Sequence, residues 1–209
     1  KKIIYRFLIF SLLIIFGFIT YLSIIGIKTE AFNNQISKEV KKINNQLDLD
    51  LDKINIILDP FKFKIVLKTI GANLKNKNKS IKLESIRFNI DIKTFFNKKL
   101  SLSKLDITTR TIEIKNLISF VRLIKDNPQI YILEKFVKKG YLIADISLKF
   151  DQKGDVENNF IIKGFVKDGE LSPLKKIDLS KINFIFKIKS NEFEFRDIKL
   201  SYDNNELMF

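Results

Sequence analysis

Three carboxylates at alternating positions, Asp48, Asp50 and Asp52, are the first residues of this chain whose type and spacing suggest chemistry. Clustered acidic side chains bind calcium when a loop wraps them round the ion, with a glycine at the sharp turn and a bidentate glutamate closing the set. Neither follows here at that spacing. The intervening Leu47, Leu49 and Leu51 make the stretch read as a strand with one wet and one greasy face. Glu192 and Glu194, alternating with Phe193 and Phe195, read the same way. No metal and no cofactor are expected. The chain has no His and no Cys, which removes the commonest general base and the thiol nucleophile. The sequences G-x-x-x-x-G-K-[ST], G-x-G-x-x-G and G-x-S-x-G are absent too. Any enzyme would rest on Lys, Ser or a carboxylate, and no position stands out for that. The expectation is a non-enzymatic protein with no catalytic residue.

Formal net charge is +14. A dedicated nucleic-acid surface gathers its cations in one arm, helix or face. Here the lysines are spread along the whole chain and accompany an excess of Ile and Asn, with few Ala and Gly, as in AT-rich coding. No nucleic-acid partner is expected, and the charge reads as coding bias before it reads as a match for an anionic phospholipid surface.

The elements that must position any site begin with a membrane span. Residues 7–27 carry no charge over 21 positions, about the ~20 apolar residues that cross a ~30 Å hydrocarbon core as a helix. The run is too long for a secretory h-region and lacks a small-x-small cleavage site, so residues 1–28 read as an uncleaved signal anchor. Lys1, Lys2 and Arg6 precede it while Lys28, Lys38, Lys41 and Lys42 follow, so charge counting does not set its orientation. The short N-terminal tail favours export of the bulk. An amphipathic juxtamembrane helix is expected over 29–46, capped by Thr29, with Phe32, Ile36, Val40, Ile43 and Leu47 on one face.

From Leu47 the apolar period falls from 3.6 to 2, and residues 47–209 read as one α+β, mostly antiparallel domain. Apolar alternation marks strands around 47–51, 54–58, 61–67, 81–92, 100–107, 112–114, 142–150, 182–188 and 193–202. Residues 160–162 are apolar on both faces, so their register is open. Loops are expected at 75–80, 94–99 and 151–155, and a hairpin turn at Asp168-Gly169. Two helices interrupt: one capped by Asn116 over 117–125, and one starting at Asn127-Pro128 and running to Lys139, with Gly140 as its stop.

Four times the alternation skips a beat: Leu51 to Ile54, Leu83 to Ile86, Leu102 to Leu105, and Phe195 to Ile198. One extra residue at such a point is what a β-bulge needs to keep apolar side chains on one face. Bulges repeated in neighbouring strands curl a sheet. A long curled sheet with few helices to cover it leaves an apolar concave groove, and such grooves receive lipid, a membrane or another chain.

The order of anchor, amphipathic helix and strands resembles the N-terminal region of the AsmA-like proteins of Gram-negative envelopes, nearest the YhdP and TamB branch. The resemblance is carried by Ile54-Asn55-Ile56-Ile57-Leu58-Asp59-Pro60-Phe61-Lys62-Phe63, by residues 81–92 and 99–107, and by the run from Lys139-Gly140-Tyr141 to 164–169. It implies an inner-membrane, single-pass protein with its bulk in the periplasm, a curled sheet of the bridge-like lipid transfer type, and a part in moving phospholipid toward the outer membrane and keeping the envelope intact. The chain, opening on Lys1 and ending in Leu207-Met208-Phe209, is expected to be the first portion of a longer protein. The residues expected to line the lipid groove are Phe61, Phe63, Ile65, Ile86, Phe88, Ile90, Leu105, Ile107, Leu148, Phe150, Phe184, Phe186, Phe195 and Ile198. The rival reading is an anchored scaffold that docks outer-membrane or periplasmic proteins by strand addition at a sheet edge. It differs in needing a dry, closed core.

Overall fold

A long apolar run in lipid must satisfy its backbone within itself, and the N-terminal run does so as one helix, α1 (Lys2–Ile24). The computed structural model describes residues 2–76, 79–92, 102–124, 127–151, 156–174, 177–203 and 205–209. After α1 come β1 (Ile27–Thr29), α2 (Asn33–Ile43), β2 (Leu47–Asp50), β3 (Ile54–Asp59), β4 (Lys64–Ile70), β5 (Asn73–Asn76), β6 (Lys79–Asp91), β7 (Leu102–Thr109) and β8 (Ile112–Glu113). Then follow α3 (Ile114–Ile124), α4 (Pro128–Phe136), β9 (Val137–Lys149), β10 (Ile161–Leu174), β11 (Ile177–Lys189), β12 (Glu192–Tyr202) and β13 (Asn205–Met208).

By length and composition α1 is able to cross a membrane. It stops earlier than the uncharged run. The Ile25 and Gly26 amides both donate to the Tyr21 carbonyl, at 2.9 and 3.2 Å, and Gly26 turns the chain at φ +71°. A Cβ at Gly26 would stand 2.5 Å from the Ile56 carbonyl oxygen, so only glycine fits between helix and sheet. Ile27 and Lys28, expected at the end of the anchor, instead pair with Ile56 and Asn55 of β3.

Among the described residues the sheet has thirteen strands, ten of them in the order β1-β3-β4-β6-β7-β9-β10-β11-β12-β13, and it does not close. Among the described residues every strand pairing is antiparallel. The first residues of β6 pair with β5, which pairs with β2, while the rest of β6 pairs with β4. β8 lies beside the start of β9.

Three of the four expected skips are register shifts within strand pairs. Opposite β7, Leu83 and Ser85 face Thr109 and Thr108, leaving Glu84 as the extra residue. Ser103 is the extra residue of β7, where Asn89 and Ile90 face Lys104 and Leu102. On β12, Arg196 and Lys199 face Ile185 and Asn183, and Asp197 takes φ +53°. The fourth skip, at 52–53, is a crossover: β2 pairs with β5 and β3 with β1 and β4, so the chain changes neighbours there.

Several boundaries move. Asp168-Gly169 does not turn the chain: it lies inside the 14-residue β10. Asp168, at φ +50°, is an added residue there, and its amide donates to Asn183 Oδ1 at 3.1 Å. Lys75 and Asn76, expected at the start of a loop, belong to β5 because β2 offers them a partner edge. Thr29 belongs to β1, and its Oγ1 accepts from the Ala31 amide, so α2 starts only at Asn33. Asn116 lies inside α3, where its Nδ2 donates to Glu113 Oε2 at 2.8 Å. Asn127 does cap α4, accepting from the Gln129 amide at 2.8 Å. That helix ends at Phe136, not Lys139, because Val137 and Lys139 pair with Leu171 and Glu170 of β10. Ile162 faces Ile146 and Ile188, and Ile161 points the other way. The loop at 94–99 and most of that at 151–155 lie outside the described residues.

The main core is built where helices meet the sheet. Phe120 of α3 joins Leu47, Leu49, Ile81, Leu83, Ile86 and Ile112 there, with Ile36 and Val40 of α2 packed against them. At its margin Ser37 Oγ donates to Asp48 Oδ1 at 2.9 Å and Lys41 Nζ lies 3.0 Å from the same oxygen. Lys41 and then Ser37 hold the Asp48 carboxyl below its ordinary value of 3.8. A depressed carboxylate stabilises the fold above its unfolded pKa, and that contribution is lost as pH falls through the folded value. Protection of the α2 amides, relative to their intrinsic exchange rates, should therefore fall below about pH 4. The effect should be modest, since both partners are half exposed, and absent in Asp48→Asn.

Candidate functional site

Antiparallel pairing puts the Cβ atoms of facing residues on one side of the sheet, so the register locates the apolar residues relative to one another. One row runs Ile54, Thr69, Ile86, Ile107, Ile146, Ile162, Ile188, Phe193, one residue from each of β3, β4, β6, β7, β9, β10, β11 and β12. Its single hydroxyl, on Thr69, is buried. Beside it run Ile56, Leu67, Phe88, Leu105, Leu148 and, on the other flank, Ala144, Gly164, Phe186, Phe195. The reverse face carries Lys68, Arg87, Asp106 and Ser147 in one row and Asp145, Lys163, Lys187 and Glu194 in another. One face of the sheet is thus apolar from β3 to β12 with no charge in these three rows.

Ten of the expected lining residues, Ile65, Ile86, Phe88, Ile90, Leu105, Ile107, Leu148, Phe184, Phe186 and Phe195, are placed on this face by register. Ile198 returns to it because the β12 bulge absorbs Asp197. Phe150, bridged to Val156 just past β9, keeps the parity of Leu148. Phe61 and Phe63 are not on it. The chain turns at 60–63, and their side chains are 94% and 62% exposed. Alternation with Lys62 and Lys64 suggested a strand, but Asp59 already faces Lys64 across the hairpin. Pro60 and the left-handed Phe63, at φ +50°, make the turn between them.

The face is covered unequally. Around Ile86 it is closed by α2, α3 and the β2–β5 pair. Between β9 and β12 it opens into a pocket of about 330 Å³ with an almost wholly apolar lining. Leu142, Val166, Ile182, Phe184, Phe186 and Ile188 form its walls with Phe195. Phe184 meets Phe195 edge to face at 5.7 Å and Phe186 at 6.2 Å. The two charged residues lining it, Lys139 and Glu170, lie 3.9 Å apart. Of the expected lining only Phe184, Phe186 and Phe195 border this pocket. Leu142, Ile182 and Ile188 were legible as strand residues and Val166 was not, and nothing short of register brings them together.

Such a lining removes hydrocarbon from water. The acidic residues that alternate along β2 are engaged elsewhere: Asp48 with Lys41 and Ser37, and Asp50 with Lys75 at 2.8 Å. Compared with models of known protein families, with curated proteins and with solved structures, the chain matches none.

Proposed function

We propose that this protein is a membrane-anchored, non-enzymatic lipid carrier whose apolar sheet face accepts phospholipid acyl chains and conducts them along a groove running across the strands. The observation that carries the reading is the row from Ile54 to Phe193, apolar on seven of eight successive strands and open beside Phe186. Each methylene moved from water onto that lining gains about 0.8 kcal/mol. Headgroups stay at the open margin, and movement is diffusion along the lining with no bond chemistry. In this reading the protein sits in the inner membrane of a Gram-negative envelope with its sheet in the periplasm, as its resemblance to the AsmA-like family suggests. A scaffold working by strand addition would need a dry, closed core, and the pocket weighs against that.

The test is photocrosslinking of the full chain in phospholipid vesicles, with benzoylphenylalanine at Phe195 and, on the reverse face, at Ile185. Phospholipid adducts are expected at Phe195, with at most about a tenth of that yield at Ile185, since insertion occurs only at contact distance. Equal lipid yield on both faces, or none at Phe195, overturns the reading.

A further inference from the structure

The two aromatic residues that the register removes from the apolar face have a different use. We infer that the tip of the β3–β4 hairpin is a second membrane contact, in which Phe61 and Phe63 lie in the interface of the leaflet that α1 leaves; this rests on α1 spanning the bilayer.

Strand direction fixes the location. β1 runs antiparallel to β3, with Ile27 facing Ile56 and Thr29 facing Ile54. The chain therefore leaves α1 moving away from the hairpin tip. Gly26 lies against Ile56 and Ile57, and Asn55 Nδ2 donates to the Ile25 carbonyl at 3.4 Å, so the end of α1, with Ile24 and Ile25 exposed, sits beside the β3–β4 hairpin. The interfacial zone on each side of a bilayer is about 5–8 Å deep, the difference between the ~30 Å core and ~40–45 Å overall.

The chemistry of the tip fits that zone. Turn positions ordinarily take Gly, Asn, Asp or Ser, and a bulky residue at positive φ is uncommon. Here Phe63 holds φ +50° and Phe61 is 94% exposed. The backbone beneath them is fixed. The Lys62 amide donates to Asp59 Oδ1 at 3.0 Å, and the Ile92 amide donates to the Phe63 carbonyl at 3.0 Å. Two exposed rings thus flank Lys62 in the sequence, whose ammonium lies 3.8 Å from Asp59 Oδ2, and aromatic and cationic side chains together suit headgroup level. The hairpin is apolar on both faces just behind the tip, with Leu58 facing Ile65 and Ile57 facing Val66.

The chain has no Trp, so a single Phe61→Trp variant carries one indole at a site where it disturbs no packing. The full-length variant in phosphatidylcholine vesicles should show blue-shifted emission. Acyl chains brominated near the headgroup should quench it about twofold or more, and chains brominated near the bilayer centre should quench it less. Leu13→Trp, within α1, should show the reverse depth order, and Ile132→Trp, on α4, should not be quenched. Solvent-like emission of Phe61→Trp with Leu13→Trp deeply quenched overturns the inference while leaving the anchor intact. A blue shift without quenching means a protein contact and overturns it as well. An unquenched Leu13→Trp removes the anchor and the inference together.

Discussion

Phe120→Ala should cost about 3–5 kcal/mol, the usual range for truncating a buried aromatic in a core that cannot collapse. Phe120 is 2% exposed and sits where α3 closes over Leu47, Leu49, Ile81, Leu83, Ile86 and Ile112. These neighbours come from three strands, β2, β6 and β8, fixed by two pairing systems, β2–β5–β6 and β8–β9. No single element can move in to fill the gap. Domain stabilities lie around 5–15 kcal/mol, so the loss is about a fifth of the total or more. Urea titration of the anchored chain should show a lowered midpoint with an unchanged slope. Val121→Ala, the next residue but exposed, should stay within about 0.5 kcal/mol of the parent. Equal effects at the two positions would mean that α3 does not close the core.

The contrast between the two ends of the apolar face explains what the sequence disclosed. Period-2 alternation depends only on a strand having a wet and a dry side, so most strands and the parity of Ile86, Phe88, Ile107 and Phe186 were legible. The skips at 84–85, 103–104 and 196–197 were legible for the same reason: parity must be restored after an inserted residue. The skip at 52–53 has the same signature, yet there the chain crosses from β2 to β3. Sequence spacing cannot tell an inserted residue from a change of partner. Asp168-Gly169 misled differently. Its dipeptide favours positive φ, and Asp168 takes positive φ, but a bulge uses that conformation as readily as a hairpin does. β5 was hidden because Asn73 to Asn76 is polar and becomes a strand only through β2 and β6 on either side.

Which part of the dry face is covered was not legible at all. Phe88 and Phe186 follow the same alternation, but helices close over the first neighbourhood and leave the second open. The cover comes from α2 and α3, whose apolar faces were visible without the address to which they dock. The pocket walls come from β9, β10, β11 and β12, so the site exists only once Ile162 chooses Ile146 and Ile188 as neighbours.

Gly164→Val should be the most damaging change within the open half, costing about 3 kcal/mol or more, at the upper end of overpacking penalties. Glycine weakens a strand unless something approaches closely, and here two things do. A Cβ at 164 would stand 2.3 Å from the Ile143 carbonyl oxygen of β9 and 2.7 Å from Cζ of Phe186. The ring of Phe186 lies over Gly164, with Ala144 beyond it in the same row, so the pocket keeps its shape because two small residues leave the ring room. Two responses are open to the variant: the ring swings into the pocket, or β9 and β10 part. The backbone contact is the shorter, and a carbonyl in a sheet is stiffer than a phenyl ring on two torsions. Most of the cost should therefore fall on the β9–β10 pairing. A double-mutant cycle separates the two responses. If the backbone dominates, adding Phe186→Leu to Gly164→Val should recover less than about half of the lost stability. Amide protection should fall along both strands, and lipid adducts at Phe195 should fall with it. Full recovery by Phe186→Leu would assign the tightness to the ring alone, leaving a pocket whose volume yields to side-chain motion.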